Sequence, residues 1–138
     1  MIYSQSALGA YLRHLDAGLA CPDFPTCLGK WIPPRLAGPV LTHFSHRTFG
    51  YLLLLTAISL YLFVSGDPRQ REYRPLALVF LALVAVQIGV GALVVLSGLN
   101  FLATGLHLAV ALGMLSVLAA LWAKTARAEG AGLSLPRS

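Results

Sequence analysis

Charged residues are scarce in this chain of 138 residues. Only 11% of the residues are Asp, Glu, Lys or Arg, and only five residues are acidic. Ordinary soluble domains carry about a quarter charged residues. The scarcity argues against a soluble domain, because the alternative of buried core helices would need a much larger polar chain around them.

Cysteine is also rare, since Cys21 and Cys27 are the two cysteines of the chain. Two prolines between them, Pro22 and Pro25, favour a backbone turn that brings the thiols together. Outside the cytoplasmic membrane a disulfide persists, and we favour this pairing. A metal-binding cysteine pair is the alternative, although no second pair accompanies it. A redox-active role for the two cysteines stays open.

What the chain has instead is long apolar runs. The run 76–96 contains one strongly polar residue, Gln87, and the run 101–123 contains one ionisable residue, His107. About 20 apolar residues suffice to cross a bilayer as a helix. The sequence therefore predicts an all-α fold, a polytopic membrane four-helix bundle forming a single domain. The predicted segments are a short first helix 1–15, an outer cysteine loop 16–39, transmembrane helices 40–65, 75–97 and 101–124, and a tail 125–138.

The first apolar segment differs from the other three. Its 12 to 15 residues fall short of a full membrane span. It also lacks the basic start and the small-residue cleavage site of a secretory signal. We therefore expect a short, tilted helix that is supported by its neighbours.

The positive charges cluster on one side of the predicted spans. Six of the ten basic residues follow the second or the fourth helix: Arg69, Arg71, Arg74, Lys124, Arg127 and Arg137. Cytoplasmic loops of membrane proteins carry such an excess. We expect a multi-pass protein of the cell membrane, with the loop 66–74 and the C-terminal tail in the cytoplasm and the cysteine loop outside. The net charge of +5 is explained by this distribution and does not indicate nucleic-acid binding.

Small residues recur at every fourth position of the last predicted helix, at Gly105, Ala109 and Gly113. A stripe of this kind lets two membrane helices approach closely, so we expect it to mediate helix packing. The alternative is that Gly105 leaves room for a flat ligand beside His107.

Two histidines are predicted to lie at one level of the bundle. His46 and His107 each lie about six residues inside a predicted helix, which places both roughly 9 Å below the outer helix ends. Both helices run from outside to inside, so imidazoles from the second and fourth helices can face a haem and bind its iron from both sides. For either histidine alone, a hydrogen-bonded interfacial residue is the alternative.

Three polar neighbours extend this candidate site. His43 lies one turn outward of His46, where it suits an entry or supporting role. Arg47 suits pairing with a haem propionate, and snorkelling to the outer interface is the alternative. Gln87 lies roughly 14 Å from the outer end of its helix. A hydrogen bond across helices is its default role, and contact with a porphyrin edge is the alternative.

Four motifs, in their order along the chain, resemble the haem A synthase family. They are Gly9–His14 leading into the loop Gly18–Cys27, His46-Arg47, Gln87–Gly91 and His107–Ala109. The resemblance implies a family of eight spans in two tandem four-helix bundles, each with axial haem ligands on its second and fourth helices. This chain resembles a single half, closest to the cysteine-loop half that binds the cofactor. By resemblance, His46 and His107 hold the haem iron, and Cys21 and Cys27 are the outer-loop pair.

The resemblance also implies an activity. The family oxidises a methyl group of haem O to the formyl group of haem A, with water as the oxygen source. Its catalytic half carries a glutamate three residues before the second-helix histidine, and this chain has His43 there. His43 is therefore the expected catalytic residue, since imidazole suits proton transfer. The alternatives are a non-catalytic bis-histidine haem b protein for electron transfer or respiratory assembly, and a scaffold whose histidines only pack.

The expected cofactor is haem, as haem b, haem O or haem A. A single bundle implies further partners beyond the lipid bilayer. These are a second copy of the chain in a homo-oligomer or another haem A synthase-like half, and other respiratory or haem-biosynthesis membrane proteins.

Overall fold

The computed structural model describes the backbone of residues 2–133 and the side chains of residues 2–127. The described residues form four α-helices: α1, Ile2–His14; α2, Gly38–Gly66; α3, Arg74–Leu96; and α4, Phe101–Leu133. By length and composition, α2, α3 and α4 are each able to cross a membrane, whereas α1 has only 13 residues. The predicted all-α, multi-pass membrane bundle is confirmed.

Local signals set the helix ends. Pro39 lies in the first turn of α2, where its missing N–H costs nothing. The chain leaves α2 at Asp67, whose carboxylate accepts a hydrogen bond from the backbone of the following 3-10 turn, Pro68–Tyr73. Asn100 caps α4 by accepting two backbone N–H bonds from its first turn, at 2.9 and 3.3 Å.

The last helix is longer than predicted. The sequence predicts a helix end at Lys124 and a tail over 125–138, but α4 continues to Leu133. Residues 125–133 contain three alanines and no proline, so nothing in the segment forces the helix to stop. Residues 134–138, with Arg137 of the predicted inner charge cluster, lie outside the described residues.

The helices pack in a ring. α2 packs against α1 and α3, while α4 packs against α3 and, more lightly, against α1. α2 and α4 therefore occupy diagonal corners of the bundle. The chain forms two hairpins, α1 with α2 and α3 with α4, and both turn at the end of the bundle that carries the cysteine loop, hereafter the outer end.

The apolar core lies in the deeper part of the bundle. Its buried residues come from all four helices: Ile2, Leu53, Ala57, Phe80, Val84 and Met114. Helix α1 spans about 20 Å and begins at this core, so it covers only the outer part of the bundle. Leu53 lies two turns deeper than His46, so His46 lies between the core and the cysteine loop.

The small residues of α4 do not all face the bundle. Gly105 and Ala109 are exposed, and a Cβ placed at Gly105 would meet no atom within 4 Å. Gly105 precedes His107 by two residues, or about 200° around the helix, so an inward His107 turns Gly105 outward. The expected close helix approach at Gly105 is therefore not made within this bundle.

Candidate functional site

The imidazole of His46 lies against the backbone of α1. Gly9 permits this contact, because a Cβ at that position would lie 3.0 Å from His46 Cε1. One turn earlier on α1, the Nε2 of Gln5 donates a hydrogen bond to the backbone carbonyl of His46 at 2.8 Å. The short first helix thus contacts both the ring and the backbone of His46.

The imidazole of His107 lies in the same way against α3. A Cβ at Gly91 would lie 3.0 Å from His107 Cε1. The Nε2 of Gln87 lies 3.3 Å from the Nε2 of His107 and within hydrogen-bond distance. This is the hydrogen bond across helices that was the default expectation for Gln87.

The two histidines occupy similar depths on diagonal helices. From the observed helix starts at Gly38 and Phe101, His46 is eight residues deep and His107 six. At the rise of an α-helix these depths are roughly 12 and 9 Å below the two helix starts, so the depths differ by about 3 Å. The part of the bundle that contains the two imidazoles is called the histidine layer.

This layer contains polar atoms that no neighbour satisfies. Among the described residues, five buried side-chain atoms lack a hydrogen-bond partner: Gln5 Oε1, His46 Nδ1, Tyr51 Oη, Gln87 Oε1 and His107 Nδ1. Burying an unpaired polar group costs about 1–3 kcal/mol, so such groups are rare in proteins unless a function retains them. Four of the five belong to the two histidines and the two glutamines beside them.

His43 lies one turn outward and is held by the outer loop. Among the residues whose side chains are described, it is the most buried polar side chain, with 4% of its surface exposed. Its Nδ1 lies 3.1 Å from the carbonyl oxygen of Ala17 and 3.4 Å from the amide nitrogen of Cys21. One ring nitrogen cannot donate to the first and accept from the second, and the shorter contact makes Nδ1–H the donor to Ala17.

Arg47 also holds the outer loop. Its two terminal nitrogens donate to the carbonyl oxygens of Thr26 at 2.6 Å and of Cys21 at 2.7 Å. The guanidinium also lies 5.7 Å from the centroid of the Phe24 ring, a distance suited to a cation–π contact. These contacts give Arg47 a role in clamping the loop, beside the propionate and snorkelling roles considered from the sequence.

The clamped loop is closed by a disulfide between Cys21 and Cys27, as predicted. Within it, the Asp23 carboxylate accepts hydrogen bonds from the Thr26 hydroxyl and from the backbone N–H groups of Leu28 and Gly29. The Thr26 bond is the main cause that lowers the pKa of Asp23 to about 2, and the two amide bonds add to it. The loop is thus a self-satisfied unit fastened to α2.

Sequence reasoning identified His46, His107 and Gln87, placed Gly9 and Gly91 only within the family motifs, and overlooked Gln5. Gln5 and Gly9 lie on α1, the helix that was predicted to be short. The overlooked signal is a repeat, because Gln-x-x-x-Gly-Ala occurs at residues 5–10 and again at 87–92. Gly105 and Ala109, which were expected to mediate helix packing, instead lie on the exposed face of α4.

Comparison with known proteins gives a consistent result. The family model described as cytochrome oxidase assembly protein, COX15-CtaA, matches residues 1–119. A haem A synthase of Halalkalibacterium halodurans is 37% identical over 108 residues, which cover 76% of this chain and 35% of the relative. A haem A synthase of Symbiobacterium thermophilum is 40% identical over 111 residues, which cover 80% of this chain and 36% of the relative.

A third relative has a different name. A protohaem IX farnesyltransferase of Halobacterium salinarum is 29% identical over 128 residues, which cover 93% of this chain and 29% of that protein. No solved structure matches the chain significantly. The chain thus spans about a third of the length of the curated relatives it matches. Because the family model covers most of its length, this chain belongs to the COX15-CtaA family of cytochrome oxidase assembly proteins.

Proposed function

We propose that this bundle holds a haem between His46 and His107. The observation that carries the proposal is the layer in which both half-buried imidazoles keep a buried ring nitrogen, Nδ1, without a hydrogen-bond partner. The donor set fits as well, because imidazole nitrogens are common protein ligands of haem iron. Two imidazoles on diagonal helices suit an iron whose other ligands come from a porphyrin.

The residues of the chain have separate tasks in this proposal. The haem supplies redox chemistry at its iron when it is bound. His46 and His107 would hold the haem iron, and the glycine beside each ring allows the neighbouring helix to support it. The clamped outer loop covers this layer from the outside, and the apolar core separates it from the inner end of the bundle.

We further propose a haem A synthase-type activity on haem O. Converting a methyl group to a formyl group adds one oxygen atom, taken from water, and releases four electrons and four protons. The reaction therefore requires an electron acceptor and a route for protons. The names of the relatives support this proposal, and the protohaem farnesyltransferase name also concerns a haem.

His43 is the proposed proton-handling residue of this activity. It lies one turn outward of His46, at the position where the resemblance places a glutamate. Its Nδ1 is engaged with the loop carbonyl of Ala17, so proton exchange falls to its Nε2. His43→Glu tests this role: restoring the family residue should raise haem A formation, whereas His43→Ala should lower it without loss of bound haem.

The experiment that tests the function is identification of the bound haem. We would purify the protein from cells that make haem O, extract its haem and identify it by chromatography and mass. Haem A or its hydroxylated precursor, absent from a His46→Ala control, would support catalysis. Haem b alone, at one per chain, would contradict it and favour the non-catalytic haem b protein.

We also propose that two copies of the bundle associate. The span of α4 is only 6% buried within the chain, against 17% for each of the other two spans, and its small residues Gly105 and Ala109 are exposed. Native mass spectrometry of the detergent-solubilised protein should show a dimer that Ala109→Leu weakens. A monomer at all concentrations would contradict the association.

The proposed orientation places the cysteine loop outside the cell membrane and the loop 66–74 inside. Support comes from the basic residues of the inner loop and from the disulfide, which persists in an oxidising compartment. A membrane-impermeant thiol label tests this. After reduction of the disulfide in intact cells, the label should modify Cys21 and Cys27. Protection of both cysteines would indicate the opposite orientation.

A further inference from the structure

The two glutamine–glycine pairs beside the histidines form a repeated structural unit. We define a histidine seat as a glutamine, the glycine one turn later on the same helix, and the histidine of the following helix. The first seat is Gln5, Gly9 and His46, and the second is Gln87, Gly91 and His107. Each glutamine–glycine pair lies on the first helix of an outward-turning hairpin, and each histidine lies on the second.

The rings sit on their glycines in matching orientations. A Cβ at Gly9 would lie 3.0, 3.6 and 3.8 Å from Cε1, Nδ1 and Nε2 of His46. A Cβ at Gly91 would lie 3.0, 3.5 and 3.9 Å from the same three atoms of His107. Two unrelated packing contacts have no reason to agree atom by atom, so the agreement indicates one arrangement used twice.

The glutamines complete the two seats differently. Gln5 donates to the backbone carbonyl of His46 and leaves the imidazole of that residue without a hydrogen bond from it. Gln87 contacts the ring itself, at Nε2 of His107. For the amide of Gln87 to donate there, the lone pair must lie on Nε2 and the proton on Nδ1. The same lone pair cannot accept this hydrogen bond and bind iron at once, so iron binding at Nε2 would displace the amide of Gln87.

We infer that Gln5, Gly9, Gln87 and Gly91 are positioning residues that fix the two imidazoles in the haem-free protein, with Gln87 also holding His107 in the tautomer protonated at Nδ1. The expected effect on haem rests on the proposed function, whereas the contacts of the glycines and glutamines lie within the protein itself. Glycine permits the backbone of α1 or α3 to support a ring face, and any larger residue at these two positions displaces the ring.

The glycines provide a matched test. Gly91→Ala places a methyl group 3.0 Å from the ring, whereas Gly89→Ala, on the same helix, meets nothing within 4 Å. In haem-loaded protein, Gly9→Ala and Gly91→Ala should speed haem transfer to apomyoglobin by about tenfold. The added methyl group overpacks the contact with the ring and weakens haem binding, and a tenfold loss of affinity is of the size that overpacking causes. Gly89→Ala should leave the rate unchanged. Equal rates for Gly91→Ala and Gly89→Ala would overturn the inference.

The glutamines provide a second test that needs no haem. Nitrogen-15 NMR of histidine-labelled, haem-free protein reports which ring nitrogen carries the proton. We expect His107 protonated at Nδ1, and Gln87→Met should abolish this preference while leaving the His46 signal unchanged. Gln70→Met, the same change in the inner loop, serves as the control. A His107 signal that Gln87→Met does not alter would overturn the tautomer assignment.

These results separate the seats from the proposed function. If His46→Ala and His107→Ala both retain haem, the haem proposal fails, while the NMR result still decides the tautomer. If the histidine variants lose haem but the alanine variants at Gly9 and Gly91 behave like Gly89→Ala, haem binding stands and the seats fail. Should Gly91→Ala not fold, Gln87→Met alone decides the second seat.

Discussion

The outer loop and the histidine layer are both polar, but they differ in how their hydrogen bonds are completed. In the loop, Asp23 accepts three hydrogen bonds and Arg47 donates two, all to neighbouring protein groups. In the layer one turn deeper, His46, His107 and both glutamines keep buried atoms without partners. A polar cluster that satisfies itself stabilises a structure, whereas one that does not is suited to a ligand. The comparison therefore supports a structural role for the loop and the proposed binding role for the layer.

The strongest way to break this comparison is to remove the ligands. His46→Ala and His107→Ala should each abolish retention of haem, because a single axial imidazole no longer holds the iron from both sides. The helical content should stay near that of the parent protein. Haem per chain after gel filtration, with circular dichroism, measures both effects. The control variant His14→Ala, at the exposed end of α1, should keep its haem. Loss of haem from this variant would contradict the assignment of His46 and His107 as the ligands.

Removing the disulfide should affect stability more than binding. Cys21→Ser with Cys27→Ser opens a short loop, for which the chain-entropy estimate is about 2 kcal/mol of unfolding free energy. Thermal unfolding of the detergent-solubilised protein, with the loop followed by limited proteolysis, measures this loss. Haem should be retained, since both histidine seats belong to the helices. Complete haem loss would mean that the loop forms part of the binding site.

Loosening the clamp should have a smaller effect. Arg47→Lys keeps the charge but cannot reach the carbonyls of Thr26 and Cys21 with the same two-pronged geometry. We expect a loss of about 1–2 kcal/mol, given that Arg47 is only partly buried. Arg35→Lys, in the exposed part of the loop, is the matched control. Equal unfolding temperatures for the two variants would show that the clamp contributes nothing.

The smallest expected effect is a change with pH at the loop. The pKa of Asp23 is lowered to about 2 in the folded protein from an ordinary 3.8, so its contribution is fully present above about pH 4. The contribution is lost as the pH falls toward 2, when the carboxylate takes up a proton. The protection of the Leu28 and Gly29 amides against hydrogen exchange, taken relative to the intrinsic exchange rate at each pH, should fall over this range. Asp23→Asn should remove this pH dependence, and an unchanged pH dependence would assign it to another group.

The sequence predicted the features that depend on distance along the chain. The three spans follow from the length of their apolar runs, and the disulfide follows from two cysteines separated by turn-forming prolines. The depths of His46 and His107 follow from the fixed rise of a helix, and from the helix starts of the structure they are roughly 12 and 9 Å.

The tertiary structure alone decided which side of each helix faces inward. The spans are apolar on nearly all sides, because lipid and core are both apolar, so the pattern that orients a helix in a soluble protein is weak here. Gly105 was therefore expected inside and lies outside, while Gly91 turned out to support a histidine. The partners of Arg47 and the role of Gln5 likewise depend on how a loop and a short helix fold back onto α2, which residue spacing does not encode.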